Sequence, residues 1–230
     1  MNIQGLQKLT LLDYPEHVAC TVFTGGCNFR CPFCHNAPLV THNFGSSKLS
    51  ENEIIDFLKK RTGILDGVCI TGGEPLLNAD IAEFIKKIKS LGYRVKLDTN
   101  GSFPERLSEL VCGGIVDYVA MDIKNTPEKY GITVGKNDFD ISSVQKSVEI
   151  LKEGKVPYEF RTTVTLEYHT KDDIESIARW LSGAKKYFLQ NFVDSGELID
   201  KSTHGHEKNS MKSMLEVAKL YIPEAELRGI

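Results

Sequence analysis

The sequence predicts an α/β fold built on a parallel sheet, and three observations carry that prediction. Short runs of apolar, β-branched residues alternate with longer stretches in which apolar residues return every three or four positions. Glycines mark most of the changeovers. With 230 residues, 41% of them hydrophobic, the chain is long enough to bury a full-sized core. Residues 18–24 are apolar and β-branched and run into Gly25-Gly26, as a buried strand entering a loop does. Ser50 then starts a helix, as an N-cap with Glu53 for its capping-box partner, followed by Ile54, Ile55, Phe57 and Leu58 and stopped near Gly63. The alternation continues with a strand at 68–71, a helix at 79–91 ended by Gly92, a strand at 94–98, a helix near 104–112 ended by Gly113-Gly114, and a strand at 118–122. A helix at 141–153, a strand at 158–165, a helix at 171–181, a strand at 186–192 and a last helix around 208–220 complete it. Strands separated by helices imply right-handed crossovers, in an open doubly wound sheet or a barrel. Six such units fall short of the eight of a closed barrel.

The segment 194–210 is the most polar and reads as a mobile loop; His204 and His206 within it read as solvated residues, because no cysteine or carboxylate constellation surrounds them. Lys and Arg number 28 against 31 Asp and Glu, a formal net charge of −3. That balance argues against broad capture of nucleic acid, which needs a basic surface. No run of about 18 apolar residues is present to span a bilayer. Residues 1–12 lack a basic segment followed by an apolar one, so the expected location is the cytosol. Six cysteines are too few for a disulfide scaffold, and three of them, Cys27, Cys31 and Cys34, are closely clustered. In a reducing compartment such clustering points to metal or redox chemistry. Cys20, Cys69 and Cys112 lie in or beside apolar runs and read as small buried hydrophobes.

The segment from Gly25 to Asn36, G-G-C-N-F-R-C-P-F-C-H-N, carries the most chemistry. A structural zinc site using the three thiolates and His35 would strain a tetrahedral cage, since Cys34 and His35 are adjacent. Cys31-Pro32-Phe33-Cys34-His35 also matches the C-x-x-C-H of covalent haem attachment, which would leave Cys27 idle and normally requires export. The third reading is an iron–sulfur cluster held by only three thiolates, with one iron left open for a substrate or cofactor. In that reading the spacing of Cys27, Cys31, Phe33 and Cys34 resembles the C-x3-C-x-aromatic-C signature of the radical S-adenosylmethionine superfamily. Thr71-Gly72-Gly73-Glu74-Pro75, after the second strand, is similar to that family's GGEP segment. As a bare turn it would be unremarkable, but it falls at the edge of the sheet where active sites of such folds lie.

Within the superfamily the chain resembles the activases of glycyl-radical enzymes, especially those of anaerobic ribonucleoside-triphosphate reductase and of pyruvate formate-lyase. Leu97-Asp98-Thr99-Asn100-Gly101 and Met121-Asp122-Ile123-Lys124 carry this likeness, with Arg161 on the fifth strand. Taken singly, Asp98 and Asp122 have the bland reading of helix caps or solvated strand ends, and Arg161 that of an edge charge. The resemblance implies a single domain over residues 1–230, a partial (β/α)6 barrel with its core at about 18–192 and a C-terminal loop and helix at 193–230. It implies one [4Fe-4S] cluster on Cys27, Cys31 and Cys34. S-adenosylmethionine would be held by Phe33, Asn36, Gly72, Gly73, Glu74, Asp98, Thr99, Asp122, Lys124, Arg161 and Gln190, the last standing where the formate-lyase activase has a histidine. Glu74 is expected to accept from the cofactor's ammonium, and a monovalent cation to lie near Asp98 and Asp122. The partners implied are a flavodoxin or ferredoxin electron donor and a glycyl-radical enzyme. Asp13-Tyr14-Pro15-Glu16 replaces the D-G-P-G of related enzymes, which counts against pyruvate formate-lyase as that partner, while the resemblance, the short length and the lack of auxiliary clusters favour an anaerobic ribonucleotide reductase. No second cysteine cluster is available for an auxiliary centre. Another radical enzyme with the same core is the alternative activity, and an electron-transfer or sensing module the alternative class.

Overall fold

The computed structural model describes residues 1–41, 48–136, 138–194, 196 and 198–229. Among them eight strands form one sheet in the order of the chain: β1 (Ile3–Thr10), β2 (Ala19–Thr24), β3 (Gly67–Gly72), β4 (Arg94–Thr99), β5 (Tyr118–Asp122), β6 (Tyr158–Val164), β7 (Tyr187–Asn191) and β8 (Ala225–Arg228). β1 lies antiparallel to β2, and every later pairing is parallel. The helices are α1 (Ala37–Thr41), α2 (Glu51–Lys59), α3 (Ile81–Ser90), α4 (Pro104–Cys112), α5 (Tyr130–Thr133), α6 (Ser142–Lys152), α7 (Lys171–Trp180) and α8 (Lys208–Lys219).

All of the strands and helices expected from the sequence are present, and the predicted cap of α2 has the expected form. Ser50 accepts from the Glu53 amide while Glu53 accepts from the Ser50 amide. The additions are β1 and β8 at the two edges of the sheet, with the short helices α1 and α5. β1 reads IQGLQKLT, half of it polar, and its exposed stretch breaks the period-2 signal. β8 is only four residues long and two of them are charged. Edge strands need less apolar sequence than central ones, which is why neither announced itself.

Alternation along the central strands separates two environments. Val95 and Leu97 of β4, Val119 and Met121 of β5, and Phe160 of β6 belong to the hydrophobic core. Ile81, Phe84, Ile85 and Ile88 of α3 are buried in that same core, and each such side chain contributes roughly 1.5–3 kcal/mol. The opposite face of the strands carries Lys96, Asp98, Asp122, Glu159 and Arg161, and it is this polar face that the site uses. Glu159, 1% exposed, is matched by a two-point pair with Arg228 of β8 at 2.8 and 3.0 Å and by the Tyr118 hydroxyl at 2.9 Å. The last strand therefore closes the charge balance of the sheet's interior.

Three expectations are corrected or refined. Cys20 and Cys69 are buried, but Cys112 is exposed at the end of α4, its sulfur 3.6 Å from Lys155 Nζ. The polar stretch 194–210 is irregular up to α8, yet its described residues are tied down: Asp200 N donates to Pro32 O at 2.9 Å, and Asn191 exchanges two 2.9 Å bonds with the backbone of His206. Ser195 and Glu197 lie outside the described residues. His204 is exposed and paired with Glu167 at 2.8 Å, whereas the His206 ring is within 2.9 Å of the His169 carbonyl.

Arg228→Met should leave the Glu159 carboxylate buried without its ion partner and destabilise the fold by about 3 kcal/mol, read as a lower denaturation midpoint. An unchanged midpoint would show that β8 does not close the interior charge balance.

Candidate active site

The loop after β2 and the loop after β3 are built to interlock. Gly73 N donates to Thr24 O at 2.9 Å and Glu74 N to Gly26 O at 2.8 Å. A Cβ on Gly73 would lie 1.9 Å from Gly26 O, so only glycine permits this approach. Asn36 adds a side-chain bond from Nδ2 to Gly72 O at 3.1 Å. The cysteine-bearing loop between them is fixed by its aromatic residues: Phe29 packs edge-on against Tyr130 of α5, and Phe33 packs on Tyr168 and His169. Arg30 N donates to Val134 O at 2.9 Å just past α5.

These loops roof a cavity of about 240 Å³ at the C-terminal ends of the strands, the edge that carries active sites in parallel α/β folds. Cys27, Cys31 and Cys34 line it together with Phe33, Asn36, Gly72, Gly73, Asp98, Thr99, Asp122, Lys124, Arg161 and Gln190. Every residue expected at the site is therefore on one wall or another except Glu74. Its carboxylate, 1% exposed, sits behind the loop, where it accepts from Leu76 N at 3.0 Å, Thr99 Oγ1 at 2.9 Å and Asn100 N at 2.7 Å. Glu74 thus ties the end of β3 to the end of β4. Burial pushes its carboxyl up to about 7, against the three donors that favour the anion.

The thiols fit a multi-iron cluster. Burial pushes Cys27 up to about 11 and Cys31 up to about 12, and raises Cys34 as well, so metal must displace protons to bind here. Among the described residues no three His, Cys, Asp or Glu side chains form a group that could hold one metal ion. A cluster takes each thiolate on a different iron, and all three cysteines line the one cavity. Two donors already point at the first of them: Phe29 N is 3.4 Å and Asn100 Nδ2 3.8 Å from Cys27 Sγ. The His35 ring instead stacks on Phe192, with Nε2 3.0 Å from Val193 O.

The same cavity carries a charge network. Arg161 reaches Asp122 Oδ1 at 2.9 Å and Asp98 Oδ2 at 3.3 Å, Lys124 Nζ reaches Asp122 Oδ2 at 2.9 Å, and Lys96 Nζ bonds Asp98 Oδ1. Burial alone would raise Asp122, but Arg161 and Lys124 outweigh it and hold its carboxyl well below the usual range. Burial likewise opposes the charge on Lys124, and Asp122 more than restores it. Three cations face two carboxylates, so one positive charge remains to meet an anionic ligand group, which fits the carboxylate of S-adenosylmethionine. Each of the four carboxylate oxygens already holds a cationic donor from within the chain.

Lys96 and Asn100 were missed by sequence reasoning, as were Thr71 and Thr163 on the cavity wall. The one signal for Lys96 was its place two positions before Asp98, a spacing that puts both on one face of β4. Asn100 stood inside the quoted D-T-N-G segment.

Residues 21–181 match the family model of the Radical SAM superfamily. A protein of Methanocaldococcus jannaschii provisionally named a glycyl-radical enzyme activating enzyme is 32% identical over 235 residues, covering 99% of this chain and 96% of that one. The pyruvate formate-lyase-activating enzyme of Listeria monocytogenes is 34% identical over 142 residues, 56% of either chain. Streptococcus suis SuiB bound to S-adenosylmethionine shares the fold, with a TM-score of 0.70 at 14% identity over 89% of this chain and 48% of that one.

The folded Glu74 carboxyl keeps its proton up to about pH 7, whereas in the unfolded chain it loses it near its ordinary value of 4.5. The native state then carries the extra proton between these values, so this residue's contribution to stability falls as pH rises through that window and levels off above it. Glu74→Gln should remove that slope. Parallel stability–pH curves for parent and variant would refute the buried position of the carboxyl.

Proposed function

The chain belongs to the radical S-adenosylmethionine superfamily and, within it, to the glycyl-radical enzyme activating enzymes; we propose that the radical acceptor is an anaerobic ribonucleoside-triphosphate reductase. The observation that carries the activase reading is the convergence of three thiols, a glycine-walled approach and a cationic patch on one cavity. Support for the reductase comes from the resemblance, the short length and the lack of a second cysteine cluster in the sequence, while the departure of Asp13 to Glu16 from the D-G-P-G stretch counts against pyruvate formate-lyase. Tyr14 there is buried and Asp13 accepts from Thr21 Oγ1 at 2.5 Å, so the segment is bound into the fold.

In this reading Cys27, Cys31 and Cys34 hold a [4Fe-4S] cluster. Gly72 and Gly73 leave bare backbone against which the methionine end of the cofactor lies. Lys124 and Arg161 attract its carboxylate, with Asp98 and Asp122 fixing both cations in place. Phe29, Phe33 and Val40 keep water from the thiol wall, and Gln190 and Thr163 offer hydrogen bonds from the far side. When bound, the cluster and S-adenosylmethionine supply a one-electron cleavage of the sulfonium carbon–sulfur bond, and so a carbon radical that removes a hydrogen atom from the acceptor's glycine. The protein's share is orientation, charge balance and exclusion of solvent. The electron would come from a flavodoxin- or ferredoxin-type donor.

Anaerobically reconstituted protein should lose its cluster absorbance and iron on Cys27→Ala, Cys31→Ala or Cys34→Ala, and keep both on Cys112→Ala, whose exposed sulfur lies beside Lys155 and Ser108. Full iron retention in any of the three loop variants would refute the ligand set.

Mixing the reduced protein with S-adenosylmethionine and the reductase of the same organism should give a glycyl-radical doublet in the electron paramagnetic resonance spectrum, together with 5′-deoxyadenosine. Lys124→Ala should lower its yield roughly 100-fold, since a misplacement of about 1 Å has that effect on a positioned reaction. Deoxyadenosine without a radical on the reductase, but with one on another glycyl-radical enzyme, would reassign the partner.

A further inference from the structure

Lys96 is the one strongly buried lysine among the described residues, 2% exposed on the polar face of β4. Its ammonium bonds Asp98 Oδ1 and lies 3.9 Å from Cys69 Sγ. The other carboxylate oxygens around it are taken by Arg161 and Lys124. Thr99 is also committed, its hydroxyl donating to Glu74 and accepting from Gly101 N at 3.1 Å. Asp98 and Asp122 are the groups near which the resemblance placed a monovalent cation, and here their oxygens already accept from cations within the chain.

The charges explain what the lysine does. Arg161 and Lys124 balance Asp98 and Asp122. A ligand carboxylate entering this face adds one negative charge, and desolvated charge must be compensated locally. Lys96 supplies that compensation as a compact point charge on a flexible stem, comparable in charge to an alkali ion and covalently tethered. We propose that Lys96 is a positioning residue that takes the electrostatic place of the monovalent cation, so that the cavity holds the cofactor's carboxylate without an alkali metal ion. The inference rests on the S-adenosylmethionine reading above.

Two measurements test it. In the cofactor-free chain, sodium-23 resonance line widths should show no saturable broadening for the parent, whereas Lys96→Met, which keeps the stem and removes the charge, should acquire a sodium site that potassium displaces. In the reconstituted protein, affinity for S-adenosylmethionine should be the same in choline, sodium and potassium chloride at equal ionic strength. Lys96→Met should bind about tenfold more weakly in choline and recover in sodium or potassium, while Lys96→Arg should remain indifferent to the salt. A parent whose affinity depends on an alkali ion would overturn the proposal, as would a folded Lys96→Met with unchanged affinity and no cation dependence. If Lys96→Met does not fold, the parent's response to choline decides alone. A parent that binds no S-adenosylmethionine in any salt overturns the functional reading, whereas saturable sodium broadening in the cofactor-free parent overturns the Lys96 assignment by itself.

Discussion

Arg161 bridging Asp98 and Asp122 is the interaction on which the site depends. It joins β4, β5 and β6 at the level of the cavity, with a separate nitrogen aimed at each carboxylate. Buried ions of this kind persist only when every partner is present, since removing one leaves a charge in a medium that cannot solvate it. Lys96 and Lys124 complete the set, and Glu159 with Arg228 repeats the arrangement one layer away. The polar face is thus held open by its own charges where an apolar face would collapse, and its geometry exists before any ligand arrives. Preorganisation of that sort is what a site needs if it is to position a cofactor without reorganising.

The opposite wall is set by backbone. Gly26 and Gly73 approach so closely that neither loop can shift independently of the other. Glu74 carries this coupling onward to Thr99 and Asn100, and Asn100 reaches back toward Cys27. A chain of short contacts therefore runs from the glycine turn to the end of β4 and returns to the thiol wall. Charge placement and sulfur placement are mechanically one unit.

Much of this was legible in the sequence because the chemistry sits at strand ends, where a period-2 apolar run stops and a polar motif begins. Cys27 to Cys34, Gly72-Gly73, Asp98 and Asp122 all follow such runs. The structure departs from the sequence reading where orientation, rather than position, decides the role. Glu74 occupies the expected loop, but its side chain turns toward backbone amides, a choice that depends on β4 being its neighbour. Lys96 showed only its spacing from Asp98, because the need for its charge appears once Arg161 and Asp122 are brought across the sheet. Cys112 ends an amphipathic helix, and one residue of rotation there separates burial from exposure. β1 and β8 escaped notice because an edge strand is specified by what it pairs with.

In the proposed function, cluster and S-adenosylmethionine meet in this one cavity. Electron–nuclear double resonance on the reduced, reconstituted protein measures it directly, using cofactor labelled with nitrogen-15 in its amino group and oxygen-17 in its carboxylate. Both labels should show hyperfine coupling to the cluster spin, with loss of the carboxylate coupling when Lys124 and Arg161 are replaced by methionine. Tight cofactor binding with neither label coupled to the cluster would contradict it.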